Sequence, residues 1–158
     1  MITEERRSTQ NDRRRVPRGG RRPGDRPGRY PLVLLAESYE AARRPCVRYL
    51  DRFSFEVAEA TTGEEAISKI VAKPPQVILT EWDLPTMPAA RLAQWLGQSW
   101  RTRDIPVIVM TSDFEPDPIV GLPPWTSSML HKPFGLSTML QHVRRALRSV
   151  PASPPGSA

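Results

Sequence analysis

Short apolar runs alternate with longer stretches in which apolar residues recur every three or four positions, and this alternation organises the middle of the chain. Residues 32–36 (LVLLA) are apolar throughout, as a strand buried on both faces should be. Residues 39–53 have helical spacing, with Ser38 as a candidate N-cap; Pro45 inside them removes a backbone hydrogen bond and predicts a kink. Residues 55–59 read as a second strand. Thr62 is placed to cap a helix over 64–71, whose early acids Glu64 and Glu65 suit the positive end of the helix dipole. A third strand over 76–81 is followed by an amphipathic helix over 89–100, with Leu92, Trp95 and Leu96 on one face. Residues 106–111 and 128–131 complete the strands. Ser137 can cap a last helix to about Val150, with Met139, Leu140, Val143 and Leu147 at core spacing. Strands separated by helices predict an α/β fold of parallel βαβ units with right-handed crossovers.

One region breaks the rhythm. Where a fourth helix belongs, between Thr111 and Lys132, stand Pro116, Pro118, Gly121, Pro123 and Pro124. An interior Pro costs a helix about 3 kcal/mol, so residues 113–126 are expected to be irregular, with at most one short helical turn. The two ends of the chain differ from the middle in another way. Residues 11–29 are dense in Arg, Gly and Pro and almost free of apolar side chains, and 150–158 (VPASPPGSA) read similarly. Neither can bury enough surface to offset the entropy of ordering. The expected organisation is a disordered tail over 1–30, one domain over 31–149 and a short disordered end.

Charge follows the same division. Residues 1–30 hold ten Arg against four acids, whereas 31–158 hold thirteen Lys or Arg against thirteen acids. The basic balance therefore belongs to the tail, and the domain is neutral. No run approaches the roughly 18 apolar residues of a membrane helix, and the N-terminus has no apolar h-region, so a cytoplasmic protein with no membrane partner is expected. The lone Cys46 has no internal disulfide partner and reads as a small hydrophobe within a helix.

In a doubly wound sheet, ligands meet the chain beyond the carboxyl ends of the strands. The residues there are Glu37 and Ser38, Glu81 with Asp83, Thr111 and Ser112, and Lys132. Each alone reads as a solvated strand end. Together they bring acids, hydroxyls and an ammonium from four strands to one place. His131 and His142 lack a second ligand at metal spacing and read as surface or packing residues.

With these residues in hand, residues 31–149 resemble the response-regulator receiver domain of two-component signalling. The resemblance rests on the apolar strand before Glu37-Ser38, Arg43 five residues on, and the run from Ala60 to Ala66 (ATTGEEA). It continues through 77–87 (VILTEWDLPTM), 105–112 (IPVIVMTS) and Lys132-Pro133-Phe134. It implies a flavodoxin-like, doubly wound five-stranded parallel sheet of order 2-1-3-4-5, here with its fourth helix degraded. It also implies a domain that switches a partner surface when an Asp is phosphorylated. The acceptor position is Glu81, not Asp; of the paired acids that hold Mg²⁺, Glu37 keeps the first and Ser38 replaces the second, with Asp83 also among the acids. Mg²⁺ demands near-octahedral oxygen geometry, so any site on Glu37 and Glu81 should be weak or absent. The switch hydroxyl Thr111 and Lys132 are kept, and Lys132 can pair with Glu81. The switch aromatic falls on Met129.

Several expectations follow. The leading one is a stand-alone, phosphorylation-deficient receiver that acts by protein–protein interaction and not as an enzyme, its partner a histidine kinase or downstream effector. The alternative is a nucleic-acid-associated adaptor that binds phosphates through Arg-rich residues 6–29. A flavodoxin-like enzyme is disfavoured, because Glu37-Ser38-Tyr39-Glu40 after the first strand would repel a phosphate.

Overall fold

Five consecutive apolar residues with no polar face belong where a sheet is covered on both sides, and β1 (Leu32–Ala36) occupies that place, with every residue buried. The structure, a computed structural model, describes residues 30–112 and 126–149. After β1 come α1 (Glu40–Arg52), β2 (Glu56–Ala60), α2 (Gly63–Ala72), β3 (Val77–Glu81), α3 (Ala89–Leu96), β4 (Val107–Thr111), β5 (Thr126–His131) and α4 (Leu136–Ser149). The strands are all parallel and stand in the order β2-β1-β3-β4-β5, which is the expected doubly wound arrangement.

Alternation along the strands feeds two separate cores. Val33 and Leu35 of β1 face Cys46 and Leu50 of α1 and Met139 and Val143 of α4. Leu34 and Ala36 point the other way, towards Ala66 and Ile70 of α2 and Leu92 and Leu96 of α3. Each fully buried Leu or Ile contributes about 1.5–3 kcal/mol relative to exposure. Among the described residues two helices therefore cover each face, and the carboxyl ends of the strands lie at the edge between them.

The helix ends depart from expectation in three places. Tyr39, not Ser38, holds the N-cap position of α1, and no side chain caps it, because the Ser38 hydroxyl is turned elsewhere. α4 begins two residues early, at Leu136, with the Gly135 carbonyl accepting from the Met139 amide at 3.1 Å, so Ser137 lies inside the first turn. α3 stops at Leu96, four residues short of the predicted end. There the hydroxyl of the buried Thr102 donates to the Leu96 carbonyl at 2.7 Å and folds the following residues back as turns. Pro45 sits inside an α1 that continues past it. The Thr62 cap of α2 forms as predicted, accepting from the Glu65 amide.

Residues 1–29, 113–125 and 150–158 lie outside the described residues. The expectations of a disordered tail at each end and of an irregular segment in place of a crossover helix fall there. Among the described residues no helix is long and apolar enough to cross a membrane.

Candidate functional site

β1 and β3 are neighbours in parallel register, Ala36 beside Thr80, so the next residues, Glu37 and Glu81, emerge side by side. β4 and β5 end level at Thr111 and His131, which brings Lys132 to the same edge. Topology thus gathers residues that are 44 to 95 positions apart in the sequence.

The turn after β1 is fixed from several sides. The Glu37 amide donates to the Ala60 carbonyl at 3.0 Å and prolongs the pairing with β2. Arg43 reaches back from α1, with Nη1 donating to the Glu37 carbonyl at 2.8 Å and Nε to Glu59 Oε2 at 2.9 Å. The Glu37 side chain is then only 2% exposed. Its Oε1 accepts from the Tyr39 amide at 3.0 Å, and its Oε2 accepts from Lys132 Nζ at 2.6 Å. A buried carboxylate needs such partners, since desolvation would otherwise cost several kcal/mol.

Glu81 lies at the rim. Its Oε2 accepts from the Ser38 hydroxyl at 2.8 Å and from the Ser38 amide at 3.3 Å. Its Oε1 stands 3.7 Å from Lys132 Nζ. Lys132 pairs with Glu81 as the sequence allows, and more closely with Glu37 at 2.6 Å. The buried pair has the lower local dielectric and the stronger attraction, while Glu81 draws on Ser38 and solvent. Backbone contacts hold the lysine in place, its amide donating to the Thr111 carbonyl at 2.7 Å.

The other anticipated residues fall at varying distances from this cluster. Thr111 is buried at the end of β4, under Lys132. Met129 is half-buried within β5, opposite Val109. Asp83 does not join the acids: it is exposed and has no hydrogen-bond or ion-pair partner among the described residues. The Trp82 amide bonds the Met110 carbonyl and extends the path of β3; Leu84 then turns into the core, leaving Asp83 facing outward. Cys46 packs in the core, and burial, followed by the nearby Glu37 charge, pushes its thiol above the ordinary value. His142 bonds Ser128 at 2.7 Å, a packing role. The sequence presents Ser38 only as a lost acid and a cap. Its role as the donor that holds Glu81 becomes legible once β1 and β3 are taken as neighbours.

A Mg²⁺ ion held by Glu37 and Glu81 would compete with contacts these acids already make. All four carboxylate oxygens of Glu37 and Glu81 face a hydrogen donor, and the Lys132 ammonium stands between the two groups. A cation wanting six oxygens in octahedral geometry would have to displace them. Among the described residues no three His, Cys, Asp or Glu side chains are grouped to hold a metal.

A model of the response regulator receiver domain matches residues 33–144. The phosphate regulon transcriptional regulatory protein PhoB of Pseudomonas aeruginosa is 29% identical over 117 residues, covering 73% of this chain and 51% of that protein. The chain thus spans about half the length of the curated relatives it matches. Among solved structures, the signal receiver domain of a signal transduction histidine kinase from Syntrophus aciditrophicus superposes with a TM-score of 0.69 at 23% identity, covering 81% of this chain and 99% of that one. The receiver domain of the sensor histidine kinase PA1611 from Pseudomonas aeruginosa, with a magnesium ion coordinated in its active site cleft, gives 0.69 at 19% identity, covering 76% and 99%. At these identities the structures speak for the fold.

Proposed function

The chain belongs to the response regulator receiver domain family of two-component signalling, and from that premise we propose that it signals by protein–protein interaction without being phosphorylated. The observation that carries this reading is the engagement of Glu81 by Ser38 and Lys132. Phosphoryl transfer needs an unencumbered acceptor oxygen in line with the donor and a cation to neutralise the charge. Here the carboxylate at the acceptor position is hydrogen-bonded by the protein, and the neighbouring acid, Glu37, is committed to Lys132. The same contacts resemble those an added phosphate would recruit, a negative group drawing a hydroxyl and an ammonium to the strand ends. Glu81 thereby holds the domain in one state. Partner abundance and affinity then set the signal, with a histidine kinase or downstream effector as the partner. The domain performs no catalysis in this reading and needs no Mg²⁺.

Incubation with acetyl phosphate and Mg²⁺, followed by intact-mass measurement, tests the proposal. The expected result is no phosphoryl adduct on the natural chain. A Glu81→Asp/Ser38→Asp chain, which shortens the acceptor and restores the second acid, should regain one. A stoichiometric, hydroxylamine-labile adduct on the natural chain would overturn the reading.

A further inference from the structure

Although residues 31–158 are neutral overall, their charges are not evenly spread. α1 and α4 lie together on one face of the sheet, and their surfaces carry Arg44, Arg48, Arg52, Arg144, Arg145 and Arg148, all exposed. α4 has no acid at all, and α1 has only Glu40 and Asp51. Arg44 pairs with Glu40 at 3.3 Å, while Arg48, Arg52, Arg145 and Arg148 have no carboxylate partner among the described residues. Six of the domain's thirteen cations thus sit on one face with little to neutralise them.

The face is also grooved. A cleft of about 530 Å³ runs beside α1, with Ala41, Pro45, Tyr49 and Leu136 among its walls and Arg44, Arg48 and Arg52 along it. These three arginines recur every fourth residue and so form one stripe, spaced roughly 6 Å apart along the helix. The Tyr49 and Phe53 rings lie 4.9 Å apart at its lower end, and the Arg144 guanidinium stands over Phe53.

We propose that this groove between α1 and α4 binds a single strand of nucleic acid, with phosphates on the arginines and base faces on the apolar and aromatic floor. Three features favour that occupant. Every cation on the face is Arg, whose planar fork matches phosphate and stacks on flat rings, where Lys offers only a point charge. Arginines interleaved with aromatic rings are what sequence-tolerant single-strand binding requires. The chain is also rich in arginine outside this face, residues 1–30 holding ten more. The groove runs along the outer surface of α1, its Ala41 and Leu136 end near the Glu81 cluster and its Arg52 end at the far side of the sheet, and the proposal does not depend on the reading given to that cluster.

Anisotropy of a labelled oligouridylate of about 15 nucleotides, titrated with the full chain over a series of KCl concentrations, tests it. Arg48→Gln/Arg52→Gln should weaken binding at least about ten-fold at low salt and reduce the slope of log K against log[salt] by about 1.4, two contacts' worth. Arg148→Gln, on the other helix, should give about half that slope change. Arg91→Gln/Arg101→Gln, with the same loss of charge on other surfaces, should leave both quantities within about two-fold. Circular dichroism and the urea midpoint confirm that each variant is folded. Equal losses in the control pair, or none in Arg48→Gln/Arg52→Gln, would assign binding to diffuse charge or to residues 1–29 and overturn the proposal. Equal affinity for duplex DNA, or equal competition by polyglutamate, would overturn the single-strand assignment.

Discussion

Replacing Lys132 by Met removes the ammonium that Glu37 and Glu81 share while keeping most of the side chain's volume. The consequence is dominated by Glu37. It is 2% exposed and loses its 2.6 Å partner, retaining only the Tyr39 amide at 3.0 Å. Stripping one member from a buried pair typically costs about 3–5 kcal/mol. The Lys132 side chain is 24% exposed, so water can reach the vacated space, and about 2–4 kcal/mol is the better expectation here. Glu81 adds little, since at 3.7 Å and 22% exposure its own pairing is worth at most about 1 kcal/mol. Urea unfolding followed by the fluorescence of Trp82 and Trp95 measures the loss, and a midpoint shift of roughly 1–2 M is expected. Glu37→Gln alone should cost about 1 kcal/mol, because the amide oxygen can still accept from Tyr39. The double variant Glu37→Gln/Lys132→Met should then recover about 2 kcal/mol relative to the sum of the singles. If Lys132→Met lies within about 0.5 kcal/mol of the natural chain, or the two losses simply add, the pair is not the electrostatic centre of the site.

Three further outcomes are expected. Glu81→Gln keeps the size and removes the charge; partner affinity and the amide resonances around Ser38 and Thr111 should change, and an unchanged spectrum would mean that Glu81 holds nothing in place. Gly63→Ala should destabilise by about 3 kcal/mol, because a Cβ there would stand 2.0 Å from Met87 Cβ, and thermal unfolding measures it. The Thr61 amide, and then its hydroxyl, hold the Glu65 carboxyl below its ordinary value of 4.5. A depressed carboxyl contributes stability that is full above its unfolded pKa and fades as pH falls through the folded one. The stability gap between the natural chain and Glu65→Gln should therefore be constant above about pH 5 and close on acidification; a gap that widens in acid would contradict the hydrogen-bond assignment.

The parallel α/β architecture was legible because its cause is local. A strand covered on both faces must be apolar at every position, as Leu32–Ala36 is, while a helix on a sheet needs apolar residues only at every third or fourth position. Thr62 before Glu64 and Glu65 likewise announces a helix start through contacts that span three residues. Sequence pattern was less informative wherever two distant groups compete for one side chain. Ser38 has the right chemistry to cap α1, yet its hydroxyl goes to Glu81, 43 residues away, because adjacent strands set the two side by side. Lys132 could have taken either acid, and burial of Glu37 decided in its favour. Thr102 ended α3 early by a hydrogen bond to Leu96 that no helix propensity contains. The charged face between α1 and α4 was equally hidden, since a neutral net charge says nothing of where charges lie and only packing brings Arg48 and Arg148 onto one surface. Periodicity along the chain determined which elements form; the parallel order of the strands determined which side chains meet, because it alone sets residues far apart in sequence within hydrogen-bonding distance.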